Sequence, residues 1–360
     1  MSATVYEYDD INQVDKSVWD LMVSDDMPYL KHDYLQAVQD LFDTKCCYFV
    51  VNNDGVPVAC ASVSEIKTDL SLFLFRKSTL KRCIAAIRKV FPNFLYVTVL
   101  ECGPSAMSGE GFSSKNWLIE IAKQMMKMKA HLCVIRDFAE PNKDLSILGF
   151  SPVPNFEEAI LDIKWRTFGE YLASLKSHYR SIIAKEDKKL NQLRTEVVKE
   201  FAQHAETMAV LWANTNGQAK TDSREIINAD YFRRISDTDN VLTTLYWLDE
   251  KLVAFTVALV GANVLFGIWM GVDYTHNKQY PLVFATYYAA IKMAISTNKQ
   301  KLFFGETTYG PKLRMGAILY PSFGYCKTRY RWLTKLLSLV AFWTTPKQVE
   351  TEKNVFKTTT

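Results

Sequence analysis

The chain has 360 residues, enough for two domains of ordinary size that each bury a core. Apolar residues make up 48% and aromatics 13%, which excludes a disordered or low-complexity protein. The formal charge of +4 comes from 43 basic and 39 acidic residues, too even a balance to assign nucleic-acid binding on charge alone.

Residues 15–42 read as helix, interrupted at Met27-Pro28-Tyr29, and Asp33-Tyr34-Leu35 leads into an apolar strand, Tyr48-Phe49-Val50-Val51. A turn at Asp54-Gly55 starts a second strand at Val58-Ala59, and Leu70–Phe75 extends the sheet. A basic helix over Leu80–Val90 follows. Next comes a strand–loop–helix–strand unit: Phe94–Leu100, a loop marked by Gly103, Gly109 and Gly111, then Trp117–Met128 and Leu132–Ile135. Asn142 opens a helical turn that closes at Leu148-Gly149-Phe150, and a strand around Ala159–Ile163 ends this first module.

Phe168–Val198 has neither Pro nor Gly after Gly169 and carries Lys176, Arg180, Lys185, Lys188, Lys189 and Arg194, so it reads as an ordered basic bridging helix. The layout then repeats. Asp230-Tyr231-Phe232 precedes the strand Leu245-Tyr246-Trp247-Leu248, and a turn at Asp249-Glu250-Lys251 leads to Val253-Ala254. The string D-x-x-x-V-A is shared by the two hairpins, at Asp54–Ala59 and Asp249–Ala254. Val264–Met270 is a strand, Gly271–Tyr280 a loop, and Pro281 suits the first turn of a helix reaching about Thr297. Leu302–Phe304 is the returning strand. Trp332–Trp343 reads as a closing helix on the second module, with a frayed polar tail from Thr344. The expected division is a first module over 1–166, a bridging helix over 167–199, a second module over 200–330, and the closing segment 331–360.

The seven cysteines lack any C-x-x-C spacing, and the five histidines form no H-x-x-x-H pair, so reduced core thiols and no metal are expected. The N-terminal residues show no secretory pattern and no run approaches the length of a membrane span, which gives a cytoplasmic expectation. Trp332–Trp343 is too short to span a bilayer; Arg329, Arg331, Lys335 and the flanking Trp residues leave a second reading open, peripheral contact with a membrane surface.

Helix, hairpin, a strand opening into a loop and helix, then a strand and a closing Gly-Phe: this order resembles the GNAT acyltransferase module. Two modules joined by a basic helix resemble the FemAB-like double-GNAT subgroup. Phe168-Gly169-Glu170-Tyr171-Leu172 is similar to that subgroup's inter-module segment. Lys301-Leu302-Phe303-Phe304-Gly305 followed by Lys312-Leu313-Arg314-Met315-Gly316 is similar to its C-terminal strand and K-x-x-x-G motif. The usual pyrophosphate loop, [QR]-x-x-G-x-[GA], has no counterpart in either half.

The resemblance implies an α/β fold of two modules, each a mixed, mostly antiparallel sheet flanked by helices. It also implies acyl transfer from acyl-CoA to a primary amine on a small molecule or peptide, in a cleft between the modules. An aminoacyl-tRNA donor is the second reading, and a catalytically silent ligand-binding or scaffold protein the third. The second module is expected to be the active one. There Met270, Gly271, Asn277, Lys278 and Gln279 would hold the donor, Glu306 would polarise the amine, and Tyr309 would protonate the leaving group. Asp273, Lys312 and Arg314 would bind substrate.

Overall fold

The computed structural model describes residues 3–42, 44–69, 78–140, 142–218, 226–306, 308–345 and 354–357. The two hairpins form at the expected turns, where Asp54, Gly55 and Asp249 adopt positive φ. The expected strand Leu70–Phe75 lies outside the described residues.

Among the described residues, fourteen strands build two seven-stranded sheets. The first contains β1 (Ala3–Tyr8), β2 (Thr44–Asn53), β3 (Val56–Asp69), β4 (Tyr96–Cys102), β5 (Leu132–Phe138) and β6 (Ser151–Pro154). The second contains β7 (Glu158–Asp162), β8 (Arg194–Val198), β9 (Val241–Leu248), β10 (Lys251–Val260), β11 (Val264–Val272), β12 (Lys301–Phe303) and β13 (Ile318–Tyr320). The last strand in the chain, β14 (Phe323–Thr328), returns to the first sheet. The strand orders are β1-β2-β3-β4-β5-β14-β6 and β13-β7-β12-β11-β10-β9-β8. In each sheet one pair is parallel, β4 with β5 and β11 with β12, and the other neighbours are antiparallel.

The modules exchange a strand, and this corrects the expected boundaries. Glu158–Asp162, expected to finish the first module, pairs with β12 and β13 of the second sheet. β14, expected in the second module, pairs with β5 and β6 of the first. The compact units are therefore discontinuous: residues 1–24, 30–156 and 321–348 form one, and 25–29, 157–320 and 349–360 the other.

In the first unit, α1 (Lys16–Met22), α2 (His32–Val38), α3 (Ser78–Arg88), α4 (Leu118–Lys127) and α5 (Lys143–Ile147) accompany the sheet. Its core gathers Phe49, Val51, Leu100, Ile121, Met125 and Ile135. In the second unit the bridging segment divides into α6 (Phe168–Ser174) and α7 (Ser177–Leu190). Arg194–Val198, expected to be helix, is a strand paired with β9, because Thr195, Val197 and Val198 are β-branched and meet an open sheet edge. Also in this unit are α8 (Ala205–Gln218), α9 (Ala229–Ser236), α10 (Leu282–Ser296) and α11 (Tyr309–Arg314). Its core runs through Tyr171, Leu265, Tyr288, Ile291 and Met315.

Two further expectations change. The closing helix α12 (Arg331–Thr344) belongs to the first unit, where the Ser338 hydroxyl donates to the Pro152 carbonyl of β6 at 2.5 Å. The tail is not frayed throughout. Val355 is buried in the second unit, and Phe356 meets the rings of Trp165 and Tyr171. Gly316 lies under that ring at φ +89, where a Cβ would come within 2.4 Å of Phe356.

Candidate functional site

In the second unit the parallel pair β11–β12 holds together for only three residues, Val264 with Lys301, Leu265 with Leu302 and Phe266 with Phe303. β11 then continues to Val272 along β10, while β12 leaves it. The Phe304 N–H donates to the Ala159 carbonyl at 2.8 Å, so the chain beyond β12 follows β7 and parts from β11. The strand expected to open at Ile268–Gly271 does so.

Which backbone groups face the gap follows from the ladder. The Asp273 N–H donates to the Val253 carbonyl of β10, and the pairs Gly271–Phe255 and Met270–Thr256 stay in register with it. Backbone groups alternate sides along a strand, so the N–H groups of Val272 and Met270 point away from β10. That of Val272 donates to Thr215 Oγ1 of α8 at 3.1 Å. That of Met270 lies on the side that β12 has vacated. Gly271 serves packing: a Cβ there would meet Phe255 Cε1 at 2.3 Å and the Leu211 carbonyl carbon at 2.7 Å.

The far bank of the gap is the end of β12 and the turn into α11. Gly305 and Thr308 take positive φ, at +77° and +47°. Lys312, 4% exposed, secures this turn by donating from Nζ to the Gly305 and Glu306 carbonyls, each at 2.7 Å. Burial pushes the Lys312 ammonium down to about 8, against the opposing pull of Glu158 and Glu306. Lys312 therefore shapes the strand end from inside and is not a solvent-facing anion binder. Glu306, half-buried, sits on the same turn.

Most of the other expected residues are engaged in contacts of their own. The Tyr309 hydroxyl donates to the Glu157 carbonyl at 2.8 Å, which commits the proton meant for a leaving group. Arg314 stacks its guanidinium 3.8 Å from the centre of the Phe284 ring and donates from Nη2 to the Glu186 carboxylate and, at 3.0 Å, to Tyr288 Oη. Tyr288 in turn donates to Glu186. The charge of Arg314 is thus balanced from α7. Nothing in the sequence tied Glu186 or Tyr288 to Arg314, since both are far from it in the chain.

Asn277 caps α10: its Oδ1 accepts from the Val283 N–H at 3.2 Å, while the Leu282 N–H donates to the Tyr280 carbonyl at 2.7 Å. Two donors of the first helical turn are thereby used internally, where a phosphate would need them. Gln279 donates to Tyr280 Oη, and Lys278 is exposed. Asp273 closes β11. Its carboxylate accepts from Lys251 Nζ at 2.7 Å and from the Thr275 N–H and hydroxyl at 3.0 and 2.6 Å. Burial raises its pKa, but these donors together outweigh that and hold it at about 2. With Asn214, Gln218 and Tyr274 it lines an open pocket of about 400 Å³.

The corresponding place in the first unit is closed. β4 stays paired with β5 to its last residue, Cys102 opposite Ile135. Arg136 fills the strand ends, its Nε 3.0 Å from the Glu101 carboxylate and its Nη2 donating to the Met107 carbonyl at 2.8 Å. The Gly-rich loop folds back onto β3 through Ser62 N–H to Gly111 carbonyl, and its Gly109 N–H donates to the buried Asp137 carboxylate, both at 2.8 Å. Burial raises the pKa of Asp137 despite the neighbouring Arg136.

A family profile, FemAB-like, described as peptidoglycan biosynthesis/recognition, matches residues 84–308, more than half of the chain. The fold is similar to the crystal structure of FemX, with a TM-score of 0.62 at 13% identity, covering 94% of this chain and all of that one. It is also similar to the structure of L-PGS from Bacillus licheniformis, with a TM-score of 0.52 at 12% identity, covering 92% of this chain and 96% of the other. In sequence, the chain is 27% identical over 321 residues to a Mycobacterium tuberculosis protein whose name proposes an 8-amino-7-oxononanoate synthase. That match takes in 81% of this chain and 41% of the relative, so the chain spans about two-fifths of the relative's length.

Proposed function

We propose that this chain, which belongs to the FemAB-like family of GNAT-fold transferases, transfers an activated acyl group to a primary amine in the gap between β11 and β12. The observation that carries the reading is the parting of these strands after Phe266 and Phe303, with the Met270 N–H on the vacated side. A donor there faces the place where an acyl carbonyl gains negative charge as the amine attacks. Glu306, on the opposite turn, takes up the proton that the amine must lose, directly or through water, and returns it to the oxygen or sulfur of the donor as that bond to the acyl carbon breaks. Lys312 holds that turn in place, and Tyr309 braces it against Glu157. Asp273 and the pocket beside it lie at the end of the same strand and suit the approach of the amine.

For the donor, an aminoacyl-tRNA fits better than acyl-CoA. A coenzyme A pyrophosphate needs the first-turn N–H groups of the helix after β11, and Leu282 and Val283 already spend theirs on Tyr280 and Asn277. Lys185, Lys188 and Lys189 of α7 offer positive charge for an RNA backbone. For the acceptor, the name of the mycobacterial relative describes a compound with an amine beside a ketone, and an amino ketone of this kind is a candidate substrate.

The test is transfer of labelled acyl groups from aminoacyl-tRNA and from acyl-CoA to such amines, with Glu306→Gln alongside. The reading expects transfer from the tRNA donor and a loss of about 10²–10⁴-fold in Glu306→Gln. Transfer from acyl-CoA alone would reverse the donor assignment, and full activity in Glu306→Gln would remove the base.

A further inference from the structure

Helix α12 turns a row of large apolar side chains outward in addition to the Leu333, Leu337 and Val340 that it partly buries. Its inward side carries hydroxyls: Thr334 is bonded to the Thr328 N–H and Ser338 donates to the Pro152 carbonyl. Its outward side carries Trp332, Leu336, Leu339 and Trp343, spaced three or four residues apart, with Phe342 beside the last, and Trp332 is 66% and Trp343 84% exposed. A row of large apolar side chains this long on one face marks an interaction surface.

The stripe begins at one end of the first unit's sheet. Thr328 of β14 pairs with Leu132 at the start of β5, and Leu132 pairs with Val99 of β4. Tyr96, which opens β4, pairs with Asp69 at the end of β3. The exposed Tyr330, Phe91 and Tyr96 therefore share that end with the first turn of α12. The described segments 82–100, 121–135 and 323–345 that meet there contain no Asp or Glu, and Asp69 at the end of β3 is paired with Arg88 at 2.6 Å. They bring exposed cations to it, among them Lys89, Lys129, Arg329, Arg331 and Lys335.

We propose that the outer stripe of α12, with the adjoining end of the first unit's sheet, docks on a membrane surface rich in anionic phospholipid. Trp at both ends of the stripe and a Leu/Phe middle suit the boundary between headgroups and acyl chains, and the cations suit the anionic headgroups. An RNA backbone would meet the cations equally well but would leave Leu336, Leu339 and Phe342 in water. No described helix is long and apolar enough to cross a bilayer, so the helix lies along the surface. This inference is independent of the reaction at the β11–β12 gap.

The experiment is flotation of the full chain with phosphatidylcholine vesicles, alone or mixed with phosphatidylglycerol. Partition into the mixed vesicles is expected, weakening with salt. Replacing Trp332 and Trp343 together by Ser should lower it about tenfold or more. Arg331→Gln and Lys335→Gln should each lower it about fivefold, with the melting temperature unchanged because all four side chains are exposed. Quenching of wild-type tryptophan fluorescence by brominated phosphatidylglycerol, absent with brominated phosphatidylcholine, gives the same answer without a variant. No partition into mixed vesicles, or partition and quenching indifferent to the two Trp residues, overturns the proposal. So does binding of an RNA hairpin through Arg331 and Lys335 with no vesicle binding.

Discussion

Replacing Lys312 by Met separates the structural cost of this residue from its use. In the wild type, Nζ donates to two backbone carbonyls in a site only 4% exposed, and burial depresses its pKa from 10.5 to about 8. Loss of the ammonium orphans the Gly305 and Glu306 carbonyls, at a cost of about 1–3 kcal/mol each. It also relieves a buried charge, worth about 3 kcal/mol at neutral pH for a shift of this size. The two effects largely offset, so the melting temperature should move by only a few degrees while turnover collapses with the loosened strand end.

A sharper signature lies in pH. Between about pH 8 and pH 10.5 the unfolded chain keeps a proton on Lys312 that the folded chain has released. Wild-type stability therefore gains up to about 1.4 kcal/mol per pH unit from this residue as pH rises through that window. Urea unfolding of both proteins at pH 8 and pH 10 isolates it, because other titrating groups cancel in the difference. The wild type should gain about 2 kcal/mol over the variant between the two conditions. A difference that stays flat would refute the buried, depressed Lys312.

Asp273→Asn loses the carboxylate that Lys251 and Thr275 share; with the native pKa at about 2 against 3.8, the penalty is about 2 kcal/mol at pH 7. That penalty should vanish as pH falls through about 2, and denaturant midpoints across the acid range would reveal it. Gly271→Ala drives a Cβ into Phe255 and Leu211 and should cost about 1–3 kcal/mol in the same assay. A neutral result would mean that α8 does not press on β11 there.

The repeated hairpins and the strand–loop–helix of the second unit were legible because local features specify them. Asp54-Gly55 and Asp249 set the turns, and β11, α10 and β12 announce themselves by pattern. The strand exchange was not legible. Glu158–Asp162 has the same apolar pattern whichever sheet accepts it, and its partner Lys301–Phe303 lies far along the chain. Arg194–Val198 continued a basic run and so read as helix, until pairing with β9 decided otherwise. At the site, the parting of β11 from β12 was legible in the strand–loop–helix pattern, but the partners of the side chains around it were not. Asn277 was read as a donor-binding residue because it precedes a helix; a side chain in that position serves equally as the helix's own cap. Arg314 looked available until Glu186, contributed by α7, appeared beside it.

The most direct test of an acyl-transfer gap in the second unit is the rate of transfer by Met270→Pro. Because the Met270 N–H faces away from β10, proline removes no ladder bond and the strand should tolerate it as an edge would. The account predicts a folded protein whose turnover falls by about 10²–10³-fold, the cost of one lost carbonyl-stabilising donor. A folded Met270→Pro variant that transfers acyl groups at the wild-type rate would contradict it.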